Sequence, residues 1–207
     1  MRYTALERES IFGCRVSHAF YQHERQPDAL TVLFPGRGYT AGMPLLYYAG
    51  MAAYEKGLDA LGLEYGFFKA GKPFAAEDVG PFVEELVSTL RAAGALHYRT
   101  LYFVSKSLGT VLAGAVKSAL GHPDVRQLFL TPVEPTLPYM LGTKATAVMG
   151  TADDSFPQHC IGAVRADAGC ELIFIDDADH ALETPQGILH NLSIMERMAG
   201  VYGAFFR

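Results

Sequence analysis

The stretch Thr100–Val116, TLYFVSKSLGTVLAGAV, passes from an apolar, β-branched strand straight into a helix, with Ser105, Lys106, Ser107, Leu108 and Gly109 at the junction. A serine in so tight a turn stands with its oxygen exposed above the edge of a sheet. The turn closes only if the residues two before and two after it are small, because their side chains crowd one another. Ser107 meets this condition, with Ser105 before it and Gly109 after it. Ser105 does not, since its flanking positions are Phe103 and Ser107, and a phenyl ring does not fit that corner. The helix opening at Leu108 points its first free N–H groups toward the serine oxygen, so the Leu108 amide is a candidate oxyanion donor. Read by itself, the junction is equally compatible with Ser107 as an ordinary helix N-cap.

Outward from this turn, short apolar runs alternate with longer amphipathic stretches, the pattern of a mostly parallel sheet covered by helices. Strands are expected at Ile11 to Ala19, Leu30 to Phe34, Tyr65 to Phe68, Thr100 to Ser105, Gln127 to Leu130, Ala145 to Met149 and Glu171 to Ile175. Helices are expected at about Met43 to Leu61, Val79 to Ala93, Thr110 to Leu120, Phe156 to Arg165 and Pro185 to Phe205. The last has Thr184 as its N-cap, Pro185 at its first position, and a core-facing stripe of Ile188, Leu192, Met195 and Met198. The fold class is α/β, a three-layer α/β/α sandwich, and residues 1–207 read as one domain.

Two downstream loops supply partners for the serine. The segment KATAVMGTADDSFP offers Asp153 and Asp154 at the C-terminal edge of a strand, where ligands of open parallel sheets bind. Asp153 lies three residues after Gly150, and Asp154 suits better the cap of a helix starting near Phe156. The segment CELIFIDDADHALETP is another strand followed by an acidic loop that holds His180. A loop histidine is commonplace, and six others occur in the chain, but the order Ser107, Asp153, His180 puts each residue after a separate strand.

At this point the chain resembles the α/β-hydrolase superfamily from about Thr31 onward, with Ser105 in place of the first glycine of the GxSxG signature. The resemblance implies a Ser107–His180–Asp153 triad and a second oxyanion donor from the loop after the third strand. That loop is FPGRGYT here, with Pro35 and Gly36 in the motif positions and Arg37 N–H as the donor. The overall pattern is similar to the small, lidless hydrolases related to dienelactone hydrolases, which often carry cysteine where Ser107 stands. It implies cleavage of a small carboxylic ester or related acyl compound, with no metal or organic cofactor required. An acyltransferase using the same residues and a catalytically inactive binding protein of the same fold are the alternatives.

Substrate contacts are expected from Tyr39, after the oxyanion loop, and from Glu134 and Phe156, near the acid. Tyr47, Tyr48, Tyr139 and Met140 lie in the same two regions. Arg37 is a candidate for attracting an anionic substrate, and Lys106 is expected to project into solvent. The connection TPVEPTLPYMLGT, with three prolines, is too short for a helical cap and reads as a fixed rim.

Composition excludes other classes. Half of the 207 residues are hydrophobic, 19% are charged, and the formal net charge is −5 with the basic residues scattered, so nucleic-acid and membrane partners are not expected. Cys14, Cys160 and Cys170 fit neither a disulfide framework nor a zinc cluster, and with an N-terminus of mixed charge they suggest a reducing cytoplasm. Gly36, Gly38 and Ala41 match a loose dinucleotide fingerprint, but no acidic residue follows Tyr65 to Phe68 to hold a ribose.

Overall fold

In the computed structural model, which describes residues 2–207, eight strands form one sheet in the order β1-β2-β4-β3-β5-β6-β7-β8. These are β1 (Arg2–Glu9), β2 (Arg15–Gln22), β3 (Ala29–Phe34), β4 (Asp59–Gly62), β5 (Thr100–Lys106), β6 (Val125–Leu130), β7 (Ala145–Gly150) and β8 (Cys170–Ile175). The pairs β1·β2 and β2·β4 are antiparallel; all the others are parallel.

Strand alternation builds the two faces. Leu101 and Phe103 of β5 enter one core with α3 (Val79–Ala92) and α4 (Leu108–Leu120), while Tyr102 and Val104 enter the opposite core with α1 (Pro44–Glu55) and α7 (Ile188–Phe205). On β6, Phe129 likewise joins a cluster with α6 (Gln158–Asp167), while Leu128 and Leu130 face α7. Each fully buried Leu or Phe contributes about 1.5–3 kcal/mol.

Several expected elements are displaced. The strand expected at Tyr65 to Phe68 is the short helix α2 (Gly66–Lys69), and its place in the sheet is taken by β4, inside what reads as the first helix. That helix stops at Glu55 because Gly57, at φ +83°, reverses the chain. Tyr65 and Phe67 instead join Phe12, Phe74 and Phe82 in a cluster of tilted and edge-on rings. β2 starts later than expected because Ser10–Cys14 is a tight turn, with Ser10 N donating to Cys14 O at 2.9 Å. β1 lacks an apolar run because it is an edge strand, with only Leu6 packing on the core.

The last helix starts at Ile188, after Gly187, so Thr184 and Pro185 lie outside it. Its buried face is Ile194, Met198 and Tyr202, whereas Ile188 and Leu192 of the expected stripe are 71% and 56% exposed. Tyr202 fixes the face by donating to Leu45 O at 2.9 Å. α6 starts at Gln158, which leaves Phe156 ahead of it in the core. Between β6 and β7 the chain makes only a single 3-10 turn (Glu134–Thr136) and the one-turn helix α5 (Leu137–Met140). No helical cap is inserted there.

Candidate active site

The C-terminal ends of β3, β5, β7 and β8 converge on one edge of the sheet. Ser107 sits at φ +54° and ψ −123°, a conformation rare for a residue with a side chain, between the last residue of β5 and the first of α4. Its N–H donates to Leu130 O at 3.1 Å, and its carbonyl accepts from Thr110 N at 2.8 Å and Thr110 Oγ1 at 2.6 Å. The small neighbours are obligatory. A Cβ on Gly109 would stand 2.3 Å from Pro35 O, and Ser105 is fully buried with its hydroxyl donating to Leu128 O at 3.3 Å.

The loops after β7 and β8 interlock. Thr151 N donates to Ile175 O at 2.9 Å, Ala152 N to Ala178 O at 3.0 Å, and Asp177 N to Thr151 Oγ1 at 2.8 Å. This approach requires glycine at position 150, where a Cβ would fall 1.9 Å from Ala178 O. The result is a continuous chain: His180 Nε2 lies 2.8 Å from Ser107 Oγ, and His180 Nδ1 lies 2.7 Å from Asp153 Oδ2. An ionised carboxylate only accepts, so His180 Nδ1–H donates to Asp153 and Nε2 is left to accept from the Ser107 hydroxyl.

The Asp153 side chain is 2% exposed. Burial pushes its carboxyl up, but hydrogen bonds from His180 and from Ser155 outweigh this and hold it below the usual carboxylate range. Asp154 is exposed and does not cap α6, whose N-cap is Pro157 with no side-chain bond. The choice between the two acids is therefore one of burial.

The loop after β3 lies against the serine. An added Cβ on Gly36 would stand 3.2 Å from Ser107 Cβ, and Gly36 N is bonded to Tyr39 O at 2.9 Å. Leu108 is the first residue of α4, so its N–H has no acceptor within the helix. Arg37 N–H, next to Gly36, makes no hydrogen bond among the described residues. Both amides border the Ser107 turn. The Arg37 side chain does not face the serine; its guanidinium donates to Phe74 O at 3.2 Å.

The substrate-contact residues divide. Tyr39 borders a cavity of about 220 Å3 that also touches Pro35, Gly36, Gly62, Tyr65 and Phe68. Its hydroxyl accepts from Leu45 N at 2.8 Å, and burial raises its ionisation above the ordinary tyrosine value despite that bond. Phe156, by contrast, is buried among Phe129, Met149 and Cys160 and offers no wall to a ligand. Glu134 turns its carboxylate to His159 at 3.3 Å. Met140 is buried as well, and Tyr139 packs over Gly114 of α4, where a Cβ would meet its ring at 2.3 Å.

Lys106 corrects the expectation most sharply. It is 2% exposed, and its ammonium donates to Thr131 Oγ1 at 2.5 Å and to His180 O at 2.7 Å. The unbroken apolar run Leu101–Val104 was the available signal, since it marks a strand buried on both faces, and in the structure all seven residues of β5 are buried, Lys106 included.

No protein-family model and no curated protein sequence matches the chain. Solved structures do. An α/β serine hydrolase homologue from Coxiella burnetii superposes with a TM-score of 0.68 at 15% identity, covering 97% of this chain and 98% of that one. XC6422 from Xanthomonas campestris, described as an α/β serine hydrolase without a lid, gives 0.66 at 14% identity over 96% and 92%. Est1E from Butyrivibrio proteoclasticus with bound ferulic acid gives 0.71 at 12% identity over 97% and 99%.

Proposed function

We propose that this chain, which has the α/β-hydrolase fold without a cap, is a serine hydrolase that cleaves a small carboxylic ester or related acyl compound. The observation that carries the reading is the unbroken Ser107–His180–Asp153 chain at 2.8 and 2.7 Å, on three loops distant in sequence. A serine serving only as a helix cap needs neither the histidine nor the buried acid behind it.

In this reading Ser107 Oγ attacks the acyl carbon while its proton passes to His180 Nε2, and the carbonyl π electrons move onto oxygen. Asp153 holds the imidazole in the correct tautomer and offsets its positive charge. The Leu108 and Arg37 amides stabilise the oxyanion, each worth about 2.7–4 kcal/mol of barrier if it matches known donors of this kind. Collapse expels the alkoxide, which takes the proton from His180. Water, deprotonated by His180, then attacks the acyl-enzyme, and the carboxylic acid leaves with Ser107 restored.

The cavity of about 220 Å3 bordered by Gly36, Tyr39, Tyr65 and Phe68 has none of Ser107, Asp153 and His180 in its lining, so the preference for compact acyl groups over long lipid chains rests on the uncapped sheet edge between β6 and β7. Tyr39 is the substrate-contact residue we retain. Arg37 and the exposed Glu134 have no support as recognition groups. No helix among the described residues is long and apolar enough to cross a membrane. A reducing cytoplasm is the compartment we propose, since all three cysteines are free thiols.

A fluorophosphonate probe tests the reading. It adds one adduct to the wild type, at Ser107, and none to Ser107→Ala; unmodified wild type that is well folded would overturn the proposal. p-Nitrophenyl acetate and butyrate are expected to be cleaved faster than the laurate, with methyl ferulate included because Est1E holds ferulic acid. Labelling without turnover of any ester in water, but with transfer to added alcohols, would select the acyltransferase alternative.

A further inference from the structure

Four segments meet at the Lys106 ammonium. Lys106 ends β5 immediately before the nucleophile, Thr131 follows β6, His180 follows β8, and the ring of Tyr39, after β3, lies under the ammonium at 5.3 Å. A buried charge is costly unless it is paired, and among the described residues no carboxylate stands within 4.0 Å of this one. Its partners are two neutral oxygens and a π face. Thr131 is itself held at φ +42°, an unfavourable backbone for a β-branched residue, with its N–H donating to Val148 O at 2.7 Å. The surroundings thus impose a strained residue that keeps one oxygen on the ammonium.

We propose that Lys106 is a positioning residue: by holding the His180 carbonyl it fixes the loop after β8 and, through it, the distance between His180 Nε2 and Ser107 Oγ. The inference rests on the hydrolase reading of the same site. The turn that carries His180 holds its own shape, but its internal bonds do not set where it sits relative to Ser107. His180 side chain bonds reach forward to Ser107 and back to Asp153, but ring bonds alone leave the backbone free to rotate about the side-chain torsions. A charge-assisted bond to the carbonyl of the same residue removes that freedom and ties His180 to the strand that delivers Ser107. The interlock with the acid loop fixes the start of the segment at Asp177 and Ala178, and the Asp179–Glu183 turn is closed on itself by Ala181 N and Glu183 N donating to Asp179 Oδ1; the Lys106 bond is the one that ties this turn to β5.

The geometry has a consequence in pH. The titratable groups facing the ammonium are Asp153 after β7, Asp179 and His180 after β8, and Tyr39 after β3; Thr131 is neutral. Burial pulls Lys106 down to about 8, while Asp153 and Asp179 act to raise it. The side chain is charged at neutral pH and loses its charge as pH rises through about 8, leaving an amine whose hydrogen bonds are weaker.

The test compares wild type with Lys106→Met. In the variant, Ser107 is still labelled by fluorophosphonate but roughly 10–100-fold more slowly, and kcat for p-nitrophenyl acetate falls by a similar factor with KM within about twofold. Amide exchange quickens in residues 177–184 and not in β5 or α4. Wild-type kcat declines partially as pH rises through about 8, and that limb is absent from Lys106→Met. Unchanged kcat, or unchanged exchange in residues 177–184, overturns the proposal. Should Lys106→Met not fold, Lys106→Gln, uncharged but polar, is put through the same measurements: faster exchange in residues 177–184 with lower kcat supports the proposal, and unchanged exchange or kcat overturns it. If wild-type Ser107 resists the probe, the hydrolase reading falls, while the exchange comparison still decides whether Lys106 tethers the loop.

Discussion

His180 Nδ1 is bound at 2.7 Å to Asp153, whose side chain is 2% exposed, and the neighbouring Asp154 points into solvent. Two adjacent acids of equal chemistry are thus given different surroundings by one step along the backbone. Asp153 Oδ1 is further engaged by Ser155 N at 2.9 Å, so both of its oxygens are fixed.

Asp153→Asn is expected to lower kcat for p-nitrophenyl acetate by about 10³–10⁴-fold, because an amide facing Nδ1 no longer selects the tautomer that leaves Nε2 free to accept. Asp154→Asn should stay within roughly twofold of wild type. Steady-state rates of the two variants side by side check the assignment, and equal losses in both would overturn it.

Gly109→Ala forces a methyl to within 2.3 Å of Pro35 O and 2.4 Å of Phe34 O, backbone atoms at the end of β3 and the start of the loop after it. Overpacking of this kind costs about 1–3 kcal/mol, and here it also opens the turn. Urea denaturation should show the lower midpoint, with probe labelling of Ser107 reduced. Gly80→Ala, in α3 with nothing within 4 Å of the new Cβ, should instead be neutral or stabilising by up to about 1 kcal/mol.

Acid stability is expected to depend on His18. It is fully buried, its Nδ1 accepts from Glu64 N at 3.0 Å, and burial lowers its ionisation from 6.5 to about 4. The folded value lies below the unfolded one, so above pH 6.5 neither state takes up a proton. Between 6.5 and 4 the unfolded chain binds a proton that the folded chain refuses, and stability falls by up to about 3 kcal/mol. Asp153, held below the usual carboxylate range, adds a loss at still lower pH as it becomes protonated. Urea midpoints from pH 7 to 4 should fall for the wild type and flatten over this window in His18→Leu.

The orientation of α7 yields a contrast within one helix. Met198→Ala is expected to cost about 2–5 kcal/mol, because Met198 is fully buried against the sheet. Ile188→Gln and Leu192→Gln should each shift stability by less than about 0.5 kcal/mol, since both side chains are mostly exposed. Thermal melts of the three variants separate the two faces.

Much of the candidate site is legible in the sequence. Ser107 was legible because small flanking residues are a local steric condition, and His180 because it follows a strand at the sheet edge. The rim between β6 and β7 was legible from its length and its prolines. What was missed has particular causes. β4 was hidden because Asp59–Gly62 is only four residues long and holds no β-branched or aromatic residue to mark a strand, although Gly57 marked the end of the helix. Phe156 reads as a substrate contact in the sequence because an aromatic beside the acid loop looks the same there whether it faces a ligand or the core, and it faces the core.

The sequence by itself determined the strand–turn–helix at Ser107 and the order in which serine, acid and histidine follow their strands, because sterics and periodicity act over a few residues. Tertiary structure alone decided which of Asp153 and Asp154 is buried, which face of α7 meets the sheet, and that Lys106 turns inward to His180 O. Each of these depends on segments far apart in sequence: burial and hydrogen-bond partners come from β7 meeting β8, α7 meeting Leu45, and β5 lying between β3 and β6. A lysine before the nucleophile has the same local chemistry in either orientation. It is the closed sheet edge around it that removes water and leaves the His180 carbonyl as its partner.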